Sequence, residues 1–302
     1  NWLHSSINKR IKRIMAYTNI DKSSLHFNTK LYTGTGSAQS ITGVGFQPDL
    51  IWGKNRSATW NHILTDAVRG ANKQISSNLN STEASNTGEF TAFGSDGFSV
   101  GTGSTLNGSG NNIVSWNWKA GGGQGSSNTD GTINTTYTSV NTTSGFSICQ
   151  WEGTGANATI GHGLGVVPKM YIVKNIDATN DWNVYHHSIG NTHRLFLNTT
   201  AAAEDNASAW NDTSPTSSVF SVGTNTNVNQ SGSTMIAYVF AEKTGFSKFG
   251  KYTGNGNDDG TFVYTGFKPA FVLIKNTTTS GEWWVTNDSG RNPSNIVDKD
   301  LF

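Results

Sequence analysis

Three groups of residues in this chain have types and spacings that could carry chemistry. His186-His187 with His193 is the densest histidine group, and imidazole is a common metal ligand. Adjacent residues on a strand point to opposite faces, so this pair makes a poor joint ligand set and no metal or other cofactor is expected. Asp258-Asp259 lies in GNGNDDGT, which lacks the closing Glu and the alternating ligand spacing of a calcium loop; a polar hairpin turn is expected there. Asp66 and Arg69, in LTDAVRG, are spaced to form a local ion pair that fixes a loop, or to offer planar hydrogen bonds to a ligand. His162 in GHGLG reads as a turn residue bonding to the backbone. The Gly-rich run GTGSTLNGSG has no following Lys-Ser/Thr and no helix with which to close a phosphate loop.

The remaining candidates are aromatic. Trp60, Trp182 and Trp283 are read as occupying one recurring position, and a recurring Trp is expected in a core, where its large ring is buried. Trp210 and Trp284 are extra and better suited to stacking on a sugar. The candidate glycan contacts are therefore Trp210, Trp284, Trp60, Asp66 and Arg69.

The elements that must position these residues follow from an internal repeat. Pro48, Pro168 and Pro269 each precede a strand-like run that ends in Lys-Asn, at Lys54-Asn55, Lys174-Asn175 and Lys275-Asn276. Upstream, an aromatic-x-Gly recurs as Tyr32-Thr33-Gly34, Trp151-Glu152-Gly153 and Tyr252-Thr253-Gly254. FSVGT occurs at Phe98 and again at Phe220, and Trp116-x-Trp118 recurs as Tyr238-x-Phe240. The alternation of Val114, Trp116 and Trp118 with Ser115 and Asn117 predicts a half-buried strand. The STEAS and AAAEDNAS stretches allow at most a turn or two of helix.

The expected fold is all-β, a tandem array of antiparallel, jelly-roll-like β-sandwich repeats, two complete and one truncated. The expected boundaries are an N-terminal arm at 1–27, repeats at 28–122 and 145–245, and a Gly/Ser/Thr linker with a lead-in strand at 123–144. A truncated third repeat is expected at 246–302, with the natural chain running on past Phe302.

Composition agrees with strands and turns. The chain holds 34 Asn, 33 Ser and 38 Thr beside 35 Gly, and only 14% charged residues, where helix-rich proteins draw on Ala, Glu, Lys and Leu. Its net charge of +1 conceals an asymmetry. Lys9, Arg10, Lys12 and Arg13 fall in residues 1–14, which read as untranslated leader sequence ahead of Met15 or, alternatively, as a short basic arm that grips nucleic acid or a partner; the remainder carries 17 basic against 20 acidic side chains, a net −3. Nucleic-acid binding is disfavoured on that balance. No run approaches the roughly 18 apolar residues of a membrane span, so membrane insertion is not expected. The single Cys149 excludes an intramolecular disulfide framework. The repeats share no invariant carboxylate, whereas glycoside hydrolysis needs a pair across one sugar bond; no catalytic residue is assigned, and an enzyme is not expected.

LYTGTGSAQSITGVGFQPDLIWGKNR, DAVRGA, DGFSVG and VSWNWKAGGG together resemble the repeated domain of virion and tail-fibre-like proteins of marine bacteriophages. GHGLGVVPKMYIVKN and YTGNGNDDGTFVYTGFKPAFVLIKN resemble later segments of the same proteins, so the likeness extends from Met15 to the end. It implies lectin-like β-sandwich domains on a structural protein located in the virion and assembled in the host bacterial cytoplasm. The implied partners are other virion proteins, host surface polysaccharide and further copies of the chain, as in a trimer. A virion-associated glycan depolymerase and a secreted bacterial carbohydrate-binding protein are the rival readings.

Overall fold

Runs of β-branched and aromatic residues broken by Gly- and Asn-rich turns close into antiparallel ladders along almost the whole chain. The computed structural model describes residues 17–294 and 298–302; the leader expected at 1–14 lies outside them. The all-β expectation holds.

The first large sheet orders its strands Phe27–Thr33, Asn112–Trp118, Leu50–Asn55, Ile63–Asp66, Lys73–Ser76 and Ala84–Ser85. In the second, Phe146–Glu152, Thr234–Phe240, Met170–Asn175, Asn183–His186, His193–Phe196 and Glu204–Asp205 follow the same order, with Tyr137–Asn141 added at the first edge. A third, two-stranded sheet pairs Phe271–Ile274 with Val285–Asp288. The three share a register: Leu50 lies opposite Asp66, Met170 opposite His186, and Phe271 opposite Asp288.

The outer face of each large sheet is covered by a small one. Gln39–Thr42, Gly97–Val100 and Phe90–Gly94 cover the first, over a core of Ile41, Phe46, Ile51, Phe90, Phe98 and Leu106. Ala158–Gly161 and Val219–Val222 cover the second, over Trp151, Tyr171, Trp210 and Phe220. The inner faces meet in one shared core: Trp52 and Trp116 of the first sheet, Ile172 and Tyr238 of the second, and Trp284 beside the third belong to a single cluster, with Phe271 packed against it.

Burial differs from the sequence reading in one strand. Val114 and Trp116 do face the shared core, but Ser115 and Asn117 on the other face are also fully buried. Asn117 Nδ2 donates to the carbonyls of Asn28 and Ser115, so the polar face is enclosed with bonds inside the sheet. The segment expected to be a linker is pinned. Gln124 Nε2 donates to the Val68 carbonyl, Ser126 bridges to Thr138, and Tyr137–Asn141 pairs with Phe146–Glu152; just before the segment, Asp49 Oδ2 accepts from the amides of Ala120 and Gly122. Among the described residues three single α-helical turns occur, at Ser104–Asn107, Ala207–Trp210 and Thr226–Asn229, beside a 3-10 turn at Ser23–Leu25; the first of the three lies in the Gly-rich run read as having no helix.

The helical turns explain the aromatic-x-Gly motif. Asn107 and Asn229 end the equivalent turns, and their side chains bond the loop that follows the motif, at Thr35 and Ser37 in one case and Thr154 and Ala156 in the other. The backbone there passes so close that a Cβ on Gly34 would lie 2.2 Å from the Gly108 carbonyl oxygen, and one on Gly153 2.2 Å from that of Gln230. Gly153→Ala is therefore expected to cost about 1–3 kcal/mol through forced backbone displacement. Gly250→Ala, where nothing lies within 4 Å, should be neutral to within about 0.5 kcal/mol. Urea melts of the two variants check this, and equal stabilities would contradict it.

Candidate functional site

The sheet register places the aromatic residues differently from the sequence reading. His62, Trp182 and Trp284 each stand one residue before the strands that begin at Ile63, Asn183 and Val285, so these three share a position. Trp60 and Trp283 do not belong to it. Tandem tryptophans at 283 and 284 and a histidine in the first copy hid the alignment.

Each ring at this position reaches into the neighbouring sheet. Trp182 Nε1 donates to the carbonyls of Ser76 in the first sheet and of Leu79 in the turn that follows it, at 3.0 and 3.1 Å. Trp284 Nε1 donates to the Phe196 carbonyl of the second sheet at 2.7 Å. His62 Nε2 lies 2.8 Å from the carbonyl oxygen of Phe302, next to Leu301, which bridges Thr286 of the third sheet. Ser76 and Phe196 end equivalent strands, and Phe302 follows Leu301 as Ser76 follows Ile75. Second to first, third to second and first to third, the contacts form a closed cycle. A cavity of about 30 Å³ at this junction is lined by Trp52, His62, Leu197, Leu273 and Trp284, residues from all three regions.

A second set of contacts runs between the same sheets. Arg69 Nε donates to Asp66 Oδ2 at 2.6 Å, and Tyr238 Oη of the second sheet donates to the same oxygen at 2.7 Å. Arg69 also reaches Glu83, whose amide bonds the Ile176 carbonyl. In the third sheet Arg291 Nε donates to Asp288 Oδ2 at 2.5 Å, and Trp116 Nε1 of the first sheet donates to that oxygen at 2.9 Å. Trp116 and Tyr238 are themselves equivalent, opposite Trp52 and Ile172. Both ion pairs are buried. Such a pair offsets its desolvation only when the leftover donors and acceptors are bonded, and here ring donors from the adjacent sheet fill that need. His186 stands in the same frame in the second sheet.

The recurring Lys-Asn is structural as well. Asn55, Asn175 and Asn276 each accept two backbone amides in the turn that follows. Lys174 Nζ donates to the Asn80 carbonyl of the first region, and Lys275 Nζ to the Thr200 carbonyl of the second, both at 3.2 Å. Burial lowers the Lys174 ammonium to about 8.

Most of the glycan candidates are therefore enclosed. Trp210 is fully buried against Tyr171 and Tyr185, with Nε1 donating to the His193 carbonyl, and has no face open to a sugar. Trp284, Asp66 and Arg69 are taken up in the contacts between sheets. Trp60 is 44% exposed and Trp283, which the sequence reading put in the core, is 48% exposed beside Ser77 and Asn78.

The histidines also depart from the strand argument. The strand ends at His186, so the His187 ring swings to within 5.1 Å of the His186 ring instead of pointing away. Among the described residues no group of three or more His, Cys, Asp or Glu is placed to hold a metal ion, and no helix is long and apolar enough to cross a membrane. His162 is buried in its turn, accepting from the Leu164 amide and lying 3.2 Å from the Thr216 carbonyl. A polar cleft of about 590 Å³ is lined by Tyr17–Ile20, Thr142, Thr143 and Glu242–Thr244. Its carboxylate, Glu242, is bonded to Lys248 and the Phe249 amide.

Residues 22–302 match the family model described as Domain of unknown function (DUF7483), and the chain belongs to that family. No curated protein and no solved structure matches the chain.

The His62 contact has a pH signature. Burial, together with the Lys54 charge, pushes the imidazole down to about 4 from its ordinary 6.5. As pH falls through 6.5 the unfolded chain takes up a proton that the folded chain refuses until about 4. Stability conferred by this group is therefore complete above 6.5 and declines towards pH 4, by a total on the order of 3 kcal/mol. Stability curves of His62→Gln should show a shallower decline across that window than those of the wild type; identical slopes would contradict a buried neutral His62.

Proposed function

We propose that this member of the DUF7483 family is a non-enzymatic structural protein of a bacteriophage virion, a tail-fibre or surface-adhesion component. It presents rigid β-sandwich units to host glycans and to other virion proteins. The observation that carries this reading is the division of labour among the polar and aromatic groups. Asp66, Arg69, Asp288, Arg291, Trp116, Trp182 and Trp284 are occupied in joining sheets. Trp60 and Trp283 remain half exposed on the outside of the frame so built. An exposed indole stacks on the apolar face of a sugar, and Ser77 and Asn78 beside Trp283 offer hydrogen-bond partners for hydroxyl groups.

Weak single contacts suit such a role. Many copies on one particle raise effective affinity through avidity without any one site binding tightly. The resemblance to virion and tail-fibre-like proteins supports the location. The scaffold also supports the function, because contacts at several fixed points keep the presented surface in one shape.

The test is binding to host surface polysaccharide on a glycan array. The wild type is expected to bind, and Trp60→Ala and Trp283→Ala are each expected to weaken binding about tenfold or more, as loss of a stacking platform does. Binding untouched by both substitutions would remove the adhesive site from these residues. Release of reducing ends from the polysaccharide would overturn the non-enzymatic reading.

A further inference from the structure

We propose that the polar cleft between residues 17–20, 142–143 and 242–244 is a second carbohydrate site, which takes a uronic acid unit of an acidic polysaccharide. The site uses neither Trp60 nor Trp283 and stands apart from the adhesive surface assigned to them.

At about 590 Å³ the cleft has the size that encloses a small ligand. Two glycines in left-handed conformations shape it. Gly245, at φ +73°, lets the Tyr17 ring rest on the main chain: a Cβ there would lie 3.3 Å from both Cδ1 and Cε1 of the ring. Gly145, at φ +74°, does the same for the Lys243 stem, whose Cγ and Cε lie 3.1 and 3.0 Å from where its Cβ would stand. The Tyr17 phenol is thereby backed by main chain while 64% of it stays exposed. An exposed aromatic ring on a fixed base is a stacking platform for the apolar face of a sugar.

The polar groups decide what kind of sugar. Thr142, Thr143 and Thr244 are exposed, and none of their hydroxyls is hydrogen-bonded among the described residues. Each can donate to and accept from a sugar hydroxyl. The two charged side chains of the lining differ in their state. Glu242 is already paired with Lys248 at 2.8 Å and accepts from the Phe249 amide. Lys243 donates its amide to Ser247 Oγ, which fixes its backbone, but its ammonium has no ion-pair or hydrogen-bond partner among the described residues. A cleft whose one carboxylate is neutralised and whose ammonium is free selects a negative ligand, and one ammonium matches the single carboxylate of a uronic acid.

The fold does not demand that ammonium. Trp118 and Phe240 end equivalent strands, opposite Leu50 and Met170. Counted on from them, Ala120, Gly121 and Gly122 hold the places of Glu242, Lys243 and Thr244. The first copy completes the same strand end without a charged side chain at any of the three places.

Trigalacturonate and its methyl ester, which keeps the rings and hydroxyls but loses the charge, are titrated into the full chain and followed by NMR. Saturable binding of the acid is expected, with shifts of the 142–143 and 242–244 amides, and the ester should bind about tenfold more weakly. Lys243→Gln should bring the acid down to the level of the ester and leave ester binding unchanged, whereas Tyr17→Leu should weaken both about fivefold. Trp60→Ala and Trp283→Ala should change none of these values. Equal binding of acid and ester, no saturation by about 10 mM, or indifference to Lys243→Gln would overturn the proposal. Sodium sulfate binding as tightly as trigalacturonate would also overturn it, because the cleft would then be a general anion site. Loss of binding in Trp60→Ala or Trp283→Ala would move the sugar to those residues, overturning this site and leaving the adhesive reading intact.

Discussion

A tryptophan indole has a large apolar ring and a single N–H, and its burial costs least where that N–H meets an acceptor. In this protein the acceptor is repeatedly a group of a different sheet. Trp182 reaches a carbonyl of the first sheet, Trp284 one of the second, and Trp116 a carboxylate of the third. His62 takes the place of the indole where the first sheet meets Phe302. Apolar faces pack without direction, and these ring contacts, with the Lys174–Asn80 and Lys275–Thr200 bonds, help fix the sheets in angle and order. The Asp66–Arg69 and Asp288–Arg291 pairs depend on the same constraint, since each carboxylate is left short of a donor unless the adjoining sheet supplies its ring.

Much of the fold was legible because its determinants are local. The aromatic-x-Gly and Lys-Asn motifs recur at near-constant spacing, and both prove to be backbone necessities: close approach at Gly34 and Gly153, and turn closure by Asn55, Asn175 and Asn276. Strand alternation also places Val114 and Trp116 correctly on a buried face. What could not be read was which tryptophan is inward. Trp60 and Trp283 fit the spacing as well as His62 and Trp284 do, and only cross-strand register separates them. Asp66 and Arg69 were recognisable as an ion pair, but Tyr238 lies far along the chain, and no local pattern announces such a partner.

These contacts change how the chain's chemistry is understood. Charged and aromatic residues that look like a ligand site on paper are the joints of the scaffold, and a site on such a molecule is sought among groups the joints leave over. Trp60 and Trp283 are such groups. The Asn, Ser and Thr excess has a matching explanation: it supplies short side chains that close turns and satisfy buried backbone, as Asn107, Asn117 and Asn229 do.

Hydrogen exchange of the individual indole N–H groups, followed by NMR, tests the closed cycle most directly. If the three sheets are joined as described, the indoles of Trp116, Trp182 and Trp284 exchange only on global unfolding, while those of the exposed Trp60 and Trp283 exchange freely. Protection of Trp182 alone, with Trp116 and Trp284 exchanging as fast as Trp60, would show that the third sheet does not close the cycle and would contradict the account.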